Sequence, residues 1–540
     1  MPSRLAPLAK LARNPDLRRC GVGFALFNAA EYGEWIALLV YAFAHGGAST
    51  SGLLAFAQLI PCALLTPFLA TAVDRYQPGK VLAAGFLAQG IGMALLALAL
   101  LAHAPAPLVY ALAIVVAPSF NLTRPTMNVL LPPAVHTPDE LTAGNAAMGW
   151  IESSGVVAGP LLTALLLLVG GPGSVLAVFA ALMLVSAWVA LPLTRSLPAP
   201  EQAESGSPIA DAIDGFRLLA GDRGTTLLVA VLTSQSLLLG AIDVLVVVLS
   251  IDVLGLGNAG VGVLNAAFGV GGLVAVVLTL GLVGRRRLAP AIVEAAILMA
   301  AVALIAVWPH IVVALALLAV TSVGRSLFDV SGRTLLQRTG SPAVLGRIFG
   351  VLESIDMLGL ALGSILVPAL IHFGGTKAAI VGVGGIMPLV TLLLLPAILG
   401  ADARATVPIV QIGLLRASPI FQPLRPPELE AVARQMQPLA VAAGSVVVRE
   451  GDPGDLYYLI GSGALHVTAH GLDVDLGRGD GFGEIALLHD VPRTATVTAR
   501  GDAGLFTLTR DDFLTAVMGH ADIDRRVRGL ARERLEGQTP

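Results

Sequence analysis

The chain has 540 residues, of which 56% are hydrophobic and only 13% are charged, and its mean hydropathy is +0.82. Soluble domains carry about 25% charged residues, so this composition indicates a membrane protein and excludes a wholly soluble one. The net charge of −3 includes no basic stripe that could follow a phosphate backbone, so nucleic acid is not an expected partner.

The charges are distributed unevenly along the chain. Only 37 of the first 400 residues are charged, against 32 of the last 140. The second proportion is that of a soluble domain. We therefore expect a membrane domain over 1–400, a linker over 401–413 and a soluble domain over 414–540.

Twelve apolar runs in the first 400 residues are long enough to cross a bilayer, which takes about 20 residues of helix. They centre near residues 31, 62, 91, 118, 156, 183, 239, 272, 298, 319, 360 and 388. The longest polar interruption, from Thr194 to Gly224, falls between the sixth and seventh runs. The sequence thus predicts an all-α bundle of twelve transmembrane helices, arranged six plus six.

Basic residues of the membrane part collect in alternate loops, as cytoplasmic loops do. With Lys377 as the exception, they fall on one predicted side: Arg4, Lys10, Arg13, Arg18, Arg19, Arg75, Lys80, Arg124, Arg195, Arg217, Arg223, Arg285, Arg286, Arg287, Arg325, Arg333, Arg338 and Arg347. This pattern predicts a multi-pass protein of the cytoplasmic (inner) membrane, with both termini and the soluble domain in the cytoplasm.

The two halves of the bundle resemble each other. An offset of 209 residues aligns Glu34 with Asp243 and Arg124 with Arg333, and an offset of 204 aligns Gly159 with Gly363. Repeated halves that enclose a site near the bilayer midplane are typical of secondary transporters. The sequence therefore predicts an internal duplication.

Two motifs carry a resemblance to the major facilitator superfamily over about residues 15–398. ATAVDRYQPGK, between spans two and three, matches its Gly-x-x-x-Asp-Arg motif at Asp74 and Arg75, with Ala70 in place of the glycine. Gly155, Gly159 and Pro160 in span five match the Gly-x-x-x-Gly-Pro motif of exporter members, although close helix packing explains them equally well. The resemblance implies a transporter that works outward.

Acidic residues inside membrane helices usually mark a transport pathway or a proton relay. The candidates are Glu31, Glu34, Glu152, Asp243 and Asp356. A carboxyl group in a dry site binds a proton more readily, so we expect Glu34 first, Glu31 second and Asp243 third to carry protons. The alternative is a structural ion pair with Arg124 or Arg333.

Four residues form a predicted cytoplasmic gate: Asp74, Arg75, Arg124 and Arg333. The arginines would anchor the cytoplasmic helix ends and pair with Asp74. Neither the two cysteines nor the histidines have the spacing of a metal site or a catalytic group, so no metal, cofactor or enzymatic activity is expected.

The soluble domain has strand-like alternation with a turn every eight to twelve residues. The expected strands are GSVVVRE, DLYYLIGSGALHVTA, LDVDLGRG, TATVTAR and AGLFTLT, with a helix at PPELEAVARQM before them and helices at DDFLTAVMG and ADIDRRVRGLARERLEG after them. This pattern predicts a small β-barrel (β-roll) with flanking helices.

GDGFGEIALLHDVPRTATVTA closely resembles the phosphate-binding cassette of cyclic nucleotide-binding domains, and GDPGDLYYLIGSGALHV fits the stretch that precedes it. The resemblance implies that Arg493 pairs with the cyclic phosphate, that Glu484 accepts the ribose 2′-hydroxyl, and that Thr494 adds a hydroxyl contact. The backbone around Gly483, Ile485 and Ala486 would complete the site, and the last helix, with Arg526 and Leu530, would cover the base. A domain that folds but no longer binds is the alternative.

Together these features predict a proton-coupled exporter of a small amphiphilic solute, regulated by cyclic AMP or cyclic GMP as its ligand. Its expected partners are the lipid bilayer, the solute, protons and the nucleotide, and domains resembling the tail often form homodimers. Two alternatives remain: a membrane-anchored sensor that transports nothing and recruits a partner, or a transporter whose cargo is the nucleotide itself.

Overall fold

The computed structural model describes residues 14–135, 138–196, 215–217, 219–279, 282, 287–339, 342–405, 408–421, 424, 426–469, 472–489 and 491–518. The chain forms two compact units. The first extends to Leu282 and resumes over Arg287–Ala405, and the second contains Thr406–Pro540.

The first unit is helical. Its principal helices are α1 (Pro15–Arg75), α2 (Pro78–Leu101), α3 (Ala106–Val116), α4 (Thr123–Leu130), α5 (Pro138–Ala190), α6 (Arg223–Val248), α7 (Gly257–Thr279), α8 (Ala289–Met299), α9 (Ile311–Thr339), α10 (Pro342–Leu393) and α11 (Leu395–Arg404). A 3₁₀ segment, Ala117–Leu122, joins α3 to α4, a π segment, Leu249–Val253, extends α6, and a second 3₁₀ segment, Ala300–Ala306, extends α8. Within the described ranges, nine helices are long and apolar enough to cross a membrane.

Three of these helices are about twice the length that a bilayer requires, and a glycine interrupts each of them. Gly47 in α1 (φ 65°), Gly171 in α5 (φ 71°) and Gly375 in α10 (φ 76°) have left-handed backbone conformations. Glycine reaches these angles without the steric cost that other residues incur. Each long helix is therefore two helices joined at a kink, where the sequence predicted separate loops.

The two halves of the first unit make equivalent helix contacts. A Cβ atom on Gly159 of α5 would lie 3.2 Å from Cβ of Tyr32 in α1, and one on Gly363 of α10 would lie 2.9 Å from the backbone nitrogen of Ala241 in α6. Tyr32 and Ala241 are related by the offset of 209, and the glycines by the offset of 204. The duplication inferred from the sequence thus recurs in the packing.

Gly363→Ala should destabilise the membrane unit by about 1–3 kcal/mol, because the added methyl group meets the carbonyl oxygen of Leu237 and overpacked cores cost this much. Gly385→Ala on the same helix is the matched control, since a Cβ there has no atom within 4 Å. Thermal unfolding of the purified protein measures both. Equal melting temperatures for the two variants would contradict the close contact.

The second unit combines strands with short helices. The strands are β1 (Gln437–Val441), β2 (Val446–Val448), β3 (Leu456–Ser462), β4 (Leu465–Ala469), β5 (Leu472–Leu476), β6 (Gly481–Phe482), β7 (Thr496–Ala499) and β8 (Ala503–Thr509). The helices are α12 (Ile409–Ala417), α13 (Pro426–Gln435), α14 (Glu484–His489) and α15 (Arg510–Met518). The strands form two antiparallel sheets, ordered β1-β8-β3-β6 and β2-β7-β4-β5.

The described strands do not close into the barrel that the sequence predicted. The predicted long strand DLYYLIGSGALHVTA divides at Gly463 (φ 87°), which lets the chain turn from β3 in one sheet to β4 in the other. The predicted strand positions otherwise agree with the structure, whereas β1 and the two-residue β6 were not predicted. The predicted strand domain with flanking helices is confirmed as two packed four-stranded sheets, and its closure into a barrel is not.

Strand β3 has both faces buried. Tyr457 and Leu459 pack against the helices, where the Tyr457 ring stacks on Phe513 at 4.7 Å, whereas Tyr458 and Ile460 pack between the two sheets. Its continuous apolar run LYYLI follows from this position. The strand thereby fixes the turn before it, which forms part of the site described next.

Candidate functional sites

A central cavity of about 670 Å³ lies in the first unit, and both halves of the unit line it. From α7 alone, residues spaced three and four apart line it: Asn265, Phe268, Gly269, Gly272, Leu273 and Val276. Such spacing places residues on one face of a helix. The cavity is predominantly apolar and contains a few ionisable groups, as small-molecule sites do.

Arg124 joins two of the predicted acids beside this cavity. Its Nη1 and Nη2 contact the two carboxylate oxygens of Glu31 at 2.6 and 2.7 Å, and its Nε lies 3.2 Å from Oε1 of Glu152. The guanidinium also covers the ring of Phe27 at 5.4 Å. The structure thus realises the ion-pair alternative for Glu31 and Glu152.

Arg333 forms the corresponding cluster in the second half. It contacts Asp329 at 2.8 Å, Glu353 at 3.0 Å and Asp356 at 3.5 Å, and Ser236 donates a hydrogen bond to Asp356 at 2.9 Å. Asp356 is the repeat equivalent of Glu152 at the offset of 204. Unlike the other four predicted pathway acids, it does not line the central cavity.

The predicted gate contacts of Asp74 and Arg75 stay a prediction, because the structure does not describe these two side chains. Arg124 itself lines the central cavity, where Glu31 and Glu152 hold its guanidinium. Its predicted place at a cytoplasmic helix end stays a prediction.

Glu34 and Asp243 differ from the other pathway acids, because neither forms an ion pair with any residue in the described part of the chain. Glu34 is 4% exposed and accepts a hydrogen bond from the amide of Gln58 at 3.4 Å. Asp243 accepts one from the indole N–H of Trp35 at 3.1 Å. Both line the cavity, so the repeat-related acids of the two halves face one common space.

Sequence reasoning missed Arg325, which it placed on the cytoplasmic side. The structure places it halfway along the 29-residue helix α9, where it lines the cavity. Ser322 and Ser326, three residues before it and one after it, line the cavity on the same face. Its position inside an apolar run was the available signal.

The second candidate site lies in the second unit, around the turn from β6 into α14. Gly483 has φ 93°, and a Cβ there would lie 2.6 Å from Nη1 of Arg493. Gly454, in the GDPGD turn, has a backbone that approaches Ala486 so closely that a Cβ would lie 2.5 Å from its methyl group. These glycines let the turn and the cassette lie against one another.

Arg493 is the centre of this arrangement and is only 5% exposed. Its guanidinium donates hydrogen bonds to the carbonyl oxygens of Leu456 at 2.8 Å and Gly483 at 3.3 Å. It lies 3.7 Å from Asp455 and covers the ring of Tyr458 at 5.6 Å. Burial raises the pKa of the Tyr458 hydroxyl.

A cavity of about 250 Å³ opens beside Arg493. Its lining includes all six residues that the sequence assigned to the nucleotide: Gly483, Glu484, Ile485, Ala486, Arg493 and Thr494. Apolar side chains of both sheets, among them Val467 of β4 and Phe482 of β6, line the rest. The predicted covering helix with Arg526 and Leu530 lies outside the described residues.

Comparisons with known proteins match both units. A family model described as Major Facilitator Superfamily matches residues 21–308, slightly more than half of the chain, and one described as Cyclic nucleotide-binding domain matches residues 438–520.

Individual relatives match the second unit. A cAMP-dependent protein kinase regulatory subunit of Aspergillus niger is 37% identical over 117 residues, covering 21% of this chain and 28% of the relative. A cyclic nucleotide-gated potassium channel of Rhizobium etli is 36% identical, covering 23% and 35%. Among solved structures, the regulatory domain of Toxoplasma gondii PKA with cAMP is 25% identical with a TM-score of 0.23, covering 25% of this chain and 52% of that chain. The chain thus spans about a third of the length of these curated relatives.

Proposed function

Because the chain belongs to the Major Facilitator Superfamily and carries a C-terminal cyclic nucleotide-binding domain, we propose that it is a proton-coupled exporter of a small amphiphilic solute, controlled by cyclic AMP or cyclic GMP. The observation that carries the proposal is one central cavity shared by Glu34 and Asp243, in a chain whose second unit holds Arg493 beside a separate cavity.

The proposed topology has twelve transmembrane passes. The nine long helices give this number when the three that break at Gly47, Gly171 and Gly375 count twice. The distribution of lysine and arginine supports a cytoplasmic location for both termini and for the nucleotide-binding domain.

Proton coupling rests on the different surroundings of the cavity acids. Arg124 compensates Glu31 and Glu152, so their charged forms are already stabilised. Within the described part of the chain, Glu34 accepts a hydrogen bond from the neutral amide of Gln58, Asp243 accepts one from the indole of Trp35, and neither acid forms an ion pair. A proton that binds to either acid removes a buried charge. The protonated and unprotonated forms of the protein therefore differ in their preference for the inward-facing and outward-facing conformations.

Nucleotide binding rests on Arg493 and the cassette around it. Arginine presents two parallel N–H groups to phosphate oxygens, and the carbonyl groups of Leu456 and Gly483 hold the guanidinium at the cavity wall. Glu484 lines the same cavity and is the proposed acceptor for the ribose hydroxyl. A bound nucleotide changes transport only to the extent that the transporter's conformational states bind it with different affinity.

Reconstitution into liposomes that contain a pH-sensitive dye tests the transport part of the proposal. Adding amphiphilic solutes one at a time should move protons for at least one of them, in the wild type and not in empty liposomes. If no solute moves protons while nucleotide binding is intact, the membrane-anchored sensor that recruits a partner becomes the better explanation.

A further inference from the structure

Arg325 is a half-buried cation that lines the central cavity and forms no ion pair with any residue in the described part of the chain. Its Nε is buried without a hydrogen-bond partner, and no carboxylate in the described part of the chain comes within 4 Å of its guanidinium. Asp243 lines the same cavity and interacts with this charge electrostatically, but the two residues do not form an ion pair. Arginine stays protonated in proteins, so this charge persists in every state of the protein.

A guanidinium that forms no ion pair inside a membrane helix bundle costs free energy and usually marks a functional site. Arg124 also lines the cavity, but it is already paired with Glu31 and Glu152, so it is less able to bind an added anion. Arg325 is therefore the cation that can receive an anion from outside the protein.

We propose that Arg325 binds an anionic head group, a carboxylate or a phosphate, of the amphiphilic solute, whose apolar body lies along Phe120, Phe268 and Met357. Its planar fork fits two oxygens of either group. Ser322 and Ser326 lie on the same face of α9 and add hydroxyl groups beside it. That the bound anion is the transported solute rests on the proposed function. That an anion binds at Arg325 rests on the cavity alone.

Binding of matched ten-carbon probes to the purified full-length protein tests this assignment. Decanoate and decyl phosphate supply the anions, and decanol and decyltrimethylammonium supply a neutral and a cationic head. Wild-type protein should bind one of the anions at least tenfold more tightly than decanol or decyltrimethylammonium, since a hydrogen bond to a charged group is worth about this factor or more.

Arg325→Gln should abolish this preference, and Arg325→Lys should restore part of it because the charge returns without the fork. Arg223→Gln is the matched control, an exposed arginine at the start of α6 outside the cavity. Thermal unfolding of each variant without probe shows whether it is folded. Equal affinity of folded Arg325→Gln and wild type for the anions, or no preference of the wild type for either anion, would overturn the assignment.

Uptake of the same probes into proteoliposomes separates this inference from the proposed function. Anion binding that depends on Arg325 without any uptake supports the anion site and contradicts the transporter. Uptake of decyltrimethylammonium in preference to both anions supports the transporter and overturns the anion site.

Discussion

Arg493→Ala is expected to weaken cyclic nucleotide binding by at least a hundredfold. A bidentate contact between arginine and phosphate comprises two charge-assisted hydrogen bonds, each worth about 1.5–3 kcal/mol. In this chain the guanidinium is 5% exposed and already fixed by two carbonyl groups, so little additional ordering is needed on binding. Calorimetric titration of the purified full-length protein with cyclic AMP and cyclic GMP measures the loss and identifies the nucleotide.

Two further variants make this result interpretable. Arg493→Lys keeps the charge but cannot form the paired hydrogen bonds, so it should also bind poorly. Arg500→Ala removes an exposed arginine of the same domain that pairs with Asp475 outside the cavity, and it should bind like the wild type. Full-strength binding by a folded Arg493→Ala protein would contradict the proposed site, and no binding by the wild type would indicate a domain that no longer uses nucleotide.

Glu34→Gln is expected to abolish proton movement that depends on solute while leaving nucleotide binding intact. The amide is close to the carboxyl group in shape but cannot take up and release a proton, and its neighbour Gln58 is neutral, so the substitution leaves no cation unpaired. Proton flux into dye-loaded proteoliposomes measures the effect.

Glu31→Gln provides an informative contrast. It removes one partner of Arg124 and leaves the guanidinium with Glu152, so it should lower stability as well as transport. Glu294→Gln, an exposed acid of α8 outside the cavity, is the neutral control. Transport by Glu34→Gln with the proton stoichiometry of the wild type would exclude Glu34 as the coupling residue.

Sequence patterns were sufficient to predict features that depend on short motifs and on the internal repeat. The six residues assigned to the nucleotide lie close together in sequence, from Gly483 to Thr494, and all six line one cavity. The alignment of Glu34 with Asp243 likewise located two acids that face a common space.

Features that depend on backbone turns or on three-dimensional packing could not be predicted from these patterns. The kink at Gly171 replaces a predicted loop because a single left-handed residue is sufficient for the reversal, and sequence hydropathy does not report backbone angles. Gly463 likewise turns one predicted strand into two strands of different sheets. Arg325 was not predicted as a cavity residue, because counting charges cannot separate a loop arginine from one that lines a cavity in a helix bundle.

We propose that a nucleotide bound at Arg493 controls transport through the membrane unit. The most direct measurement is the initial rate of solute-dependent proton flux in proteoliposomes, with cyclic nucleotide added to the face that carries the C-terminal domain. The rate should change saturably with nucleotide in the wild type and stay constant in Arg493→Ala. An unchanged rate in wild-type protein that demonstrably binds nucleotide would contradict the claim.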